Sequence, residues 1–285
     1  MSQLRVFIVG HERKPEVKGA LQELTQGLAS QARIVGTSVG VRAEELAELE
    51  ADFVIVLGGD GTILATARAL GHRALPIIGV NLGKLGFLAE FSVPELVAQF
   101  AEVTSQPGLI GKRMILEVQH RGEPVLAIND ACVLAGPPFR MIELECYING
   151  ERLTRMSGDG LILSTPTGST AHNMAVGGPI LLPSVRAIVV TPMAPQSLAL
   201  TPIVVDSDSI VEVRILRVNE GTTLLIDGQL SSSLEENDML RVRRFEKDFR
   251  LVHNPCCPHC HTLVTKLRWG QTPSYNAGKT GPEAR

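Results

Sequence analysis

The sequence predicts an α/β amino-terminal domain on a parallel, Rossmann-like sheet, followed by a β-rich carboxy-terminal domain whose final segment packs back on the first. Continuously apolar, strand-like runs alternate with helix-like segments as far as Arg113, the pattern of a parallel sheet covered on both faces. Beyond Arg113 the apolar spacing changes from helical to every second residue. Helical spacing returns only after Leu251. The expected division is therefore 1–112, 113–250 and 251–285, with the polar tail from about 271 disordered.

In order, Val6-Phe-Ile-Val9 reads as a buried strand. Pro15 then opens a helix with Val17, Leu21, Leu24 and Leu28 on one face. A short acidic helix (Ala43 to Glu50) leads to Phe53-Val-Ile-Val-Leu57, five apolar residues in a row. Ile63 to Leu70 is helical, and Pro76 to Val80 is the next strand. Ser92 and Glu95 stand at capping-box spacing before Leu96, Val97 and Phe100. In the second half, Ile142, Leu144, Cys146 and Ile148 alternate with Glu143, Glu145 and Tyr147, and Asn149-Gly150 supplies a hairpin turn. Val211, Val213 and Ile215 alternate again, Asp227-Gly228 is a second turn, and Leu263, Val264 and Leu267 are in helical register before Trp269.

Composition excludes several functions. With 27 Lys and Arg against 30 Asp and Glu, the net charge is −3, unsuited to a protein that works by neutralising phosphates on nucleic acid. Aromatic residues are only 4%, too few for a base-stacking surface. The uncharged window from Ala187 to Val205 contains Pro192, Pro195 and Pro202, so it does not run as one membrane helix. Five unevenly spaced cysteines fit a reducing interior better than a disulfide framework. The expectation is a soluble cytoplasmic protein with no membrane or nucleic-acid partner.

Two segments carry chemistry. Gly58-Gly59-Asp60-Gly61-Thr62 joins a buried strand to a helix, where flexible backbone and a helix amino terminus suit phosphate binding. It matches neither a Walker loop nor a dinucleotide fingerprint. A carboxylate beside phosphate implies a task, such as accepting a proton or holding Mg²⁺; the plainer reading is a turn with Asp60 as helix cap. The second segment, Asp159-Gly-Leu-Ile-Leu-Ser-Thr-Pro-Thr-Gly-Ser-Thr170, gathers five hydroxyl residues in a stretch that carries no Asp, Glu, Lys or Arg from Gly160 to Val185. Such a loop recognises neutral groups such as ribose, or is simply a turn between strands.

Together these segments resemble the NAD kinase family. Asn81-Leu-Gly-Lys-Leu-Gly-Phe-Leu88, Ile128-Asn129-Asp130, Gly177-Gly-Pro179, Asp227-Gly-Gln229 and Lys266-Leu-Arg-Trp-Gly270 agree, so the resemblance covers nearly the whole chain. It implies transfer of the γ-phosphoryl group of ATP, or of a polyphosphate phosphoryl, to the 2′-hydroxyl of NAD's adenosine ribose. Asp60 would be the catalytic base or orienting group, with Gly58, Gly59, Gly61 and Thr62 around the phosphates. Phe87, Asn129, Asp130, Asp159, Thr167, Thr170, Ala171, His172 and Gln229 would line the nucleotide site. Mg²⁺ would arrive with ATP, and the chain would form a homodimer or homotetramer.

The glycine–aspartate turn is shared with lipid kinases, which leaves a diacylglycerol- or sphingosine-type kinase as an alternative; a non-catalytic NAD(P) sensor is another. The sequence departs from the family at His172, where Tyr is usual, at Asp130, where Glu is more frequent, and at Gln196 and Thr201, where His and Arg are typical. A histidine there can still stack and hydrogen-bond but offers less area than a tyrosine. Cys257 and Cys260 have the spacing of a zinc knuckle but no second pair, and the default reading is a Cys/His-rich loop.

Overall fold

The computed structural model describes residues 3–11, 16–83 and 86–268, apart from the His259 side chain. Pro15, Lys84, Leu85, Trp269 and the tail beyond 271, all invoked by the sequence, lie outside the described residues. The first half runs β1 (Leu4–Gly10), α1 (Glu16–Leu28), β2 (Ala32–Val39), α2 (Ala43–Ala47), β3 (Phe53–Leu57), α3 (Asp60–Leu70), β4 (Ile77–Val80), α4 (Val93–Ser105) and β5 (Ile110–Arg113). All five residues of β3 are buried because both faces of the sheet are covered. Val6, Ile8, Ile55 and Leu57 pack with Leu24, Leu96 and Phe100 of α1 and α4. Phe7, Val54 and Val56 pack on the other face with Leu46, Ile63 and Ala67 of α2 and α3. The Ser92–Glu95 capping box is present at the start of α4.

The second half is antiparallel: β6 (Leu116–Gln119), β7 (Val125–Ala127), β8 (Asp130–Leu134), β9 (Ile142–Ile148), β10 (Glu151–Gly158), β11 (Gly160–Ser164), α5 (His172–Ala175), β12 (Ala187–Met193), β13 (Ile203–Asp206), β14 (Val211–Arg217), β15 (Thr223–Ile226), β16 (Leu230–Ser233) and β17 (Met239–Arg244). These strands form two six-stranded sheets, β10-β9-β14-β17-β6-β7 and β13-β12-β11-β8-β15-β16. Leu144, Cys146 and Val213 of one sheet share a core with Leu161, Leu163 and Ile188 of the other. The uncharged window 187–205 contains β12 and part of β13, and no described helix is long and apolar enough to cross a membrane. Asn149 and Gly150 have φ of 53° and 81°, the left-handed pair of a two-residue hairpin.

The chain then returns as β18 (Phe249–Val252) and α6 (His259–Leu267). The first sheet has the order β2-β1-β3-β4-β18-β5, parallel except where β5 runs against β18. Ile115, Ile128 and Phe245 of the second half pack into the core beneath α3, so the two lobes share apolar contacts. Leu263 of α6 is buried, whereas Val264, expected on the same face, is exposed.

Candidate active site

The order β2-β1-β3 means that the chain leaves β1 to one side and returns to pair on the other. Between β1 and β3 lies a topological switch point, where parallel sheets open a crevice at the carboxyl ends of their strands. A cavity of about 570 Å³ occurs there, lined by Gly10, Arg42, Gly59, Gly61 and Thr62 among others, and Gln229 closes it from the second lobe.

Asp60 is the first residue of α3, and Gly59 is the cap residue. The Asp60 side chain makes no cap hydrogen bond. It reaches instead to the turn after β4, where its carboxylate accepts the backbone N–H groups of Phe87 (2.9 Å), Leu88 (3.0 Å) and Ala89 (3.2 Å). Gly86 is required by this approach, since a Cβ there would overlap Asp60 Oδ1. The same turn is tied to the end of the chain. The buried Glu90 carboxylate accepts the Asn254 N–H (2.8 Å) and contacts His253 Nδ1 (2.9 Å), and Lys266 Nζ lies 4.5 Å from the Phe87 ring centre. Burial lowers the Lys266 ammonium from its usual range, opposed by the nearby Asp60 charge.

Asn129 and Asp130 lie opposite, held by the carboxylate of Asp227, which the sequence marks as a turn residue within the Asp227-Gly-Gln229 motif. Asp227 accepts N–H groups from Ile128 (3.0 Å), Asn129 (2.7 Å) and Asp130 (3.3 Å), and Arg68 of α3 donates to it. Burial pushes the Asp227 carboxyl up, with those N–H donors and Arg68 pulling it back. Arg68 also donates to Gln229, whose Nε2 donates to the Gly61 carbonyl at 2.7 Å. One arginine thus fastens the glycine turn to the Asn129–Asp130 segment across the two lobes. Its signal in the sequence is faint: it is the only charged residue of α3 after Asp60.

The hydroxyl loop divides into two roles. Ser164, Thr165 and Ser169 spend their hydroxyls within the protein: Thr165 Oγ1 donates to the Ile128 carbonyl (2.7 Å) and Ser169 Oγ to that of Pro166 (2.7 Å). Gly168 packs against the Asn129 backbone so closely that a Cβ would collide with it. Thr167 and Thr170 line a narrow cleft with Phe87 and the buried Arg113, and Thr167 Oγ1 is buried without a partner among the described residues. Burial lowers Arg113 to about 10, opposed by the Glu90 charge. Ala171 follows, half-buried, and His172 Nδ1 stands 3.5 Å from Asp130 Oδ1. Burial raises the Asp130 carboxyl above its ordinary range, partly offset by His172.

Asp159 is not brought beside these groups within the chain. It is exposed at the start of β11, whereas Asp130 pairs with Ser164 at the other end, roughly 15 Å away at the rise of a strand. Cys257 and Cys260 also join no ligand cluster. Among the described residues the three-ligand group is Asp130, Cys132 and His172. Cys132 carried no signal in the sequence, because nothing local ties a strand cysteine to a histidine 40 positions on.

Two family models match the chain, one after the other. An ATP-NAD kinase N-terminal domain matches residues 6–107 and an ATP-NAD kinase C-terminal domain matches 128–254. The NAD kinase of Geotalea daltonii is 35% identical, aligned over 95% of this chain and all of its own length. That of Geobacter metallireducens is 37% identical over the same shares. The chain belongs to the NAD kinase family. Its activity is that of an NAD kinase, a phosphotransferase with an alcohol acceptor, and the lipid-kinase and non-catalytic alternatives fall away. Solved structures agree in fold. A yeast NADH kinase complexed with NADH superposes with a TM-score of 0.86 at 24% identity, covering 98% of this chain and 91% of its own. An NAD kinase from Archaeoglobus fulgidus in complex with ATP gives 0.77 at 26% identity, covering 93% and 99%.

Proposed function

We propose that Asp60 receives the 2′-hydroxyl of NAD's adenosine ribose while the 58–62 turn and the switch-point crevice hold the phosphates of ATP. The observation that carries this reading is the Asp60 carboxylate itself. An ionised carboxylate has about four lone-pair sites, and three backbone N–H groups fill three of them, leaving one for an incoming hydroxyl. A group so held is fixed in position, which is what phosphoryl transfer asks of a protein. Its contribution as a base is about 10²–10⁴ in rate.

Phe87, Thr167 and Thr170 are the groups we assign to the dinucleotide, together with Asn129, Asp130, Ala171 and His172. The orphaned Thr167 hydroxyl supports this, being a buried donor with no partner among the described residues. Gln229 joins the donor side through its hold on Gly61. Asp159, exposed and remote, would act in this site only from a neighbouring copy. Mg²⁺ enters with the triphosphate as part of the substrate, keeping most of its water.

Binding of NAD and ATP by this chain is supported by the relatives solved with NADH and with ATP. Five free cysteines support a reducing cytoplasm. Exposed Phe139 and Leu198 on the β-rich lobe support a homo-oligomer formed through it.

The test is initial-rate formation of NADP, with ATP and polyphosphate as donors and NAD and NADH as acceptors, for the wild type and Asp60→Asn. Asp60→Asn should lower turnover at least about a hundredfold while leaving NAD affinity nearly intact. Near-normal turnover would remove Asp60 from the mechanism.

A further inference from the structure

The group formed by Asp130, Cys132 and His172 contains more than a nucleotide contact requires. Cys132 Sγ lies 3.4 Å from Asp130 Oδ1, and His172 Nδ1 lies 3.5 Å from the same oxygen. All three ligand atoms fall within 4.8 Å of one another. Around a tetrahedral ion with bonds of about 2.0–2.3 Å, neighbouring ligand atoms stand about 3.4–3.6 Å apart. Two of the three separations already have that value.

A second observation points the same way. Asp130 is wholly buried, and its Oδ2 has no hydrogen-bond partner among the described residues. Arg68, the nearby cation, is committed to Asp227, whose own negative charge also acts on Asp130 and Cys132. The cluster therefore gathers acceptor atoms and negative charge without a cation of its own. Burial and Asp130 push the Cys132 thiol up, so it keeps its proton unless a metal displaces it.

We propose that Asp130, Cys132 and His172 form a binding site for a borderline-soft divalent ion of the Zn²⁺ class. As the metal–sulfur bond forms, the thiol proton leaves to solvent, and neutral His172 and the Asp130 carboxylate complete three positions. The half-exposed His172 ring marks the way in and leaves the fourth position to water. A thiolate and an imidazole select Zn²⁺, Co²⁺ or Cd²⁺ over the Mg²⁺ that accompanies ATP. Resting on the assignment of Asp130 and His172 to the dinucleotide, the same ion competes with NAD and inhibits the kinase.

Titration of the metal-free full chain with Co²⁺ tests this. Expected is a tetrahedral cobalt spectrum with a thiolate charge-transfer band, reversed by Zn²⁺. Cys132→Ala should abolish the band, and His172→Ala, at an exposed position, should weaken binding at least about tenfold. The triple variant Cys256→Ser, Cys257→Ser, Cys260→Ser should keep it. No band with Co²⁺ in excess, or a band that survives Cys132→Ala and follows the triple variant, overturns the site. A band lost in Cys132→Ala but indifferent to NAD sustains the metal site, and it is then the assignment of Asp130 and His172 to NAD that fails.

Discussion

A single methyl group at Gly86 should disable the enzyme without touching any substrate. The objection to alanine at Gly86 is one of space. The added Cβ would overlap Asp60 Oδ1, and the carboxylate or the turn must yield by about 1 Å to restore contact distance. Oδ1 is the oxygen that accepts from Leu88 and Ala89, so two of the three hydrogen bonds are stretched together. At about 1.5–3 kcal/mol for a bond to a charged group, their gross loss is about 3–6 kcal/mol. Water reaches the half-exposed Asp60 and recovers part of it, leaving an expected stability loss of about 2–3 kcal/mol. The kinetic effect is of similar size, because a displacement of about 1 Å in a positioned group costs about a hundredfold in rate, or about 2.7 kcal/mol. NADP formation, followed through a coupled NADP-dependent dehydrogenase at saturating ATP, should show kcat down about a hundredfold with KM for NAD within about twofold. Gly108→Ala, where the new Cβ meets nothing within 4 Å, is the matched control. A folded Gly86→Ala enzyme with kcat within about threefold of wild type would refute the idea that the 86–89 turn sets the working position of Asp60.

Other outcomes follow from the same geometry. Arg68→Ala leaves the buried Asp227 carboxylate without its cation, and unfolding in denaturant should show a loss of about 3 kcal/mol; a loss under about 1 kcal/mol would mean that the three N–H donors suffice. Arg68→Lys should not rescue it fully, since a point charge cannot serve Asp227 and Gln229 together. The Arg5 guanidinium and backbone N–H hold Asp52 below the usual carboxylate range. A native value lower than the unfolded one contributes stability that is complete above about pH 4 and is lost as pH falls through the native value. Asp52→Asn should therefore flatten the acid limb of the melting-temperature profile, and an unchanged limb would dismiss the pair.

What the sequence made legible was local. Phe53–Leu57 announces itself because burial on both faces leaves no polar position, and Ser92 with Glu95 specifies its own helix start. The strand β2 escaped notice for a physical reason. Its burial alternates along the whole strand, but the inward positions after Ile34 are Gly36, where the Phe7 ring takes the space of a Cβ, and Ser38, while Val35 and Val39 are exposed, so apolar residues do not mark the buried face. The short α2 ends at Ala47, earlier than its acidic run suggested.

The glycine–aspartate turn was readable as chemistry because flexible backbone and a carboxylate are adjacent in sequence. Its partners were not, since Gly86, Arg68 and Asp227 act through contacts between residues 26 to 159 positions apart. The hydroxyl loop was read as uniform. Only the fold separates Thr165 and Ser169, which brace the loop, from Thr167, whose hydroxyl is unspent.

The position of β18 between β4 and β5 bears on how the molecule is made. A ribosome emits β1 to β5 first, yet the gap in their sheet is filled by residues 249–252, which emerge only after the sandwich has been synthesised. The first sheet is thus completed late, by a strand that arrives when the β-rich half can already be closed. Nascent chains arrested before residue 249 lack the strand that joins β4 to β5, and the arrival of residues 249–252 closes that seam.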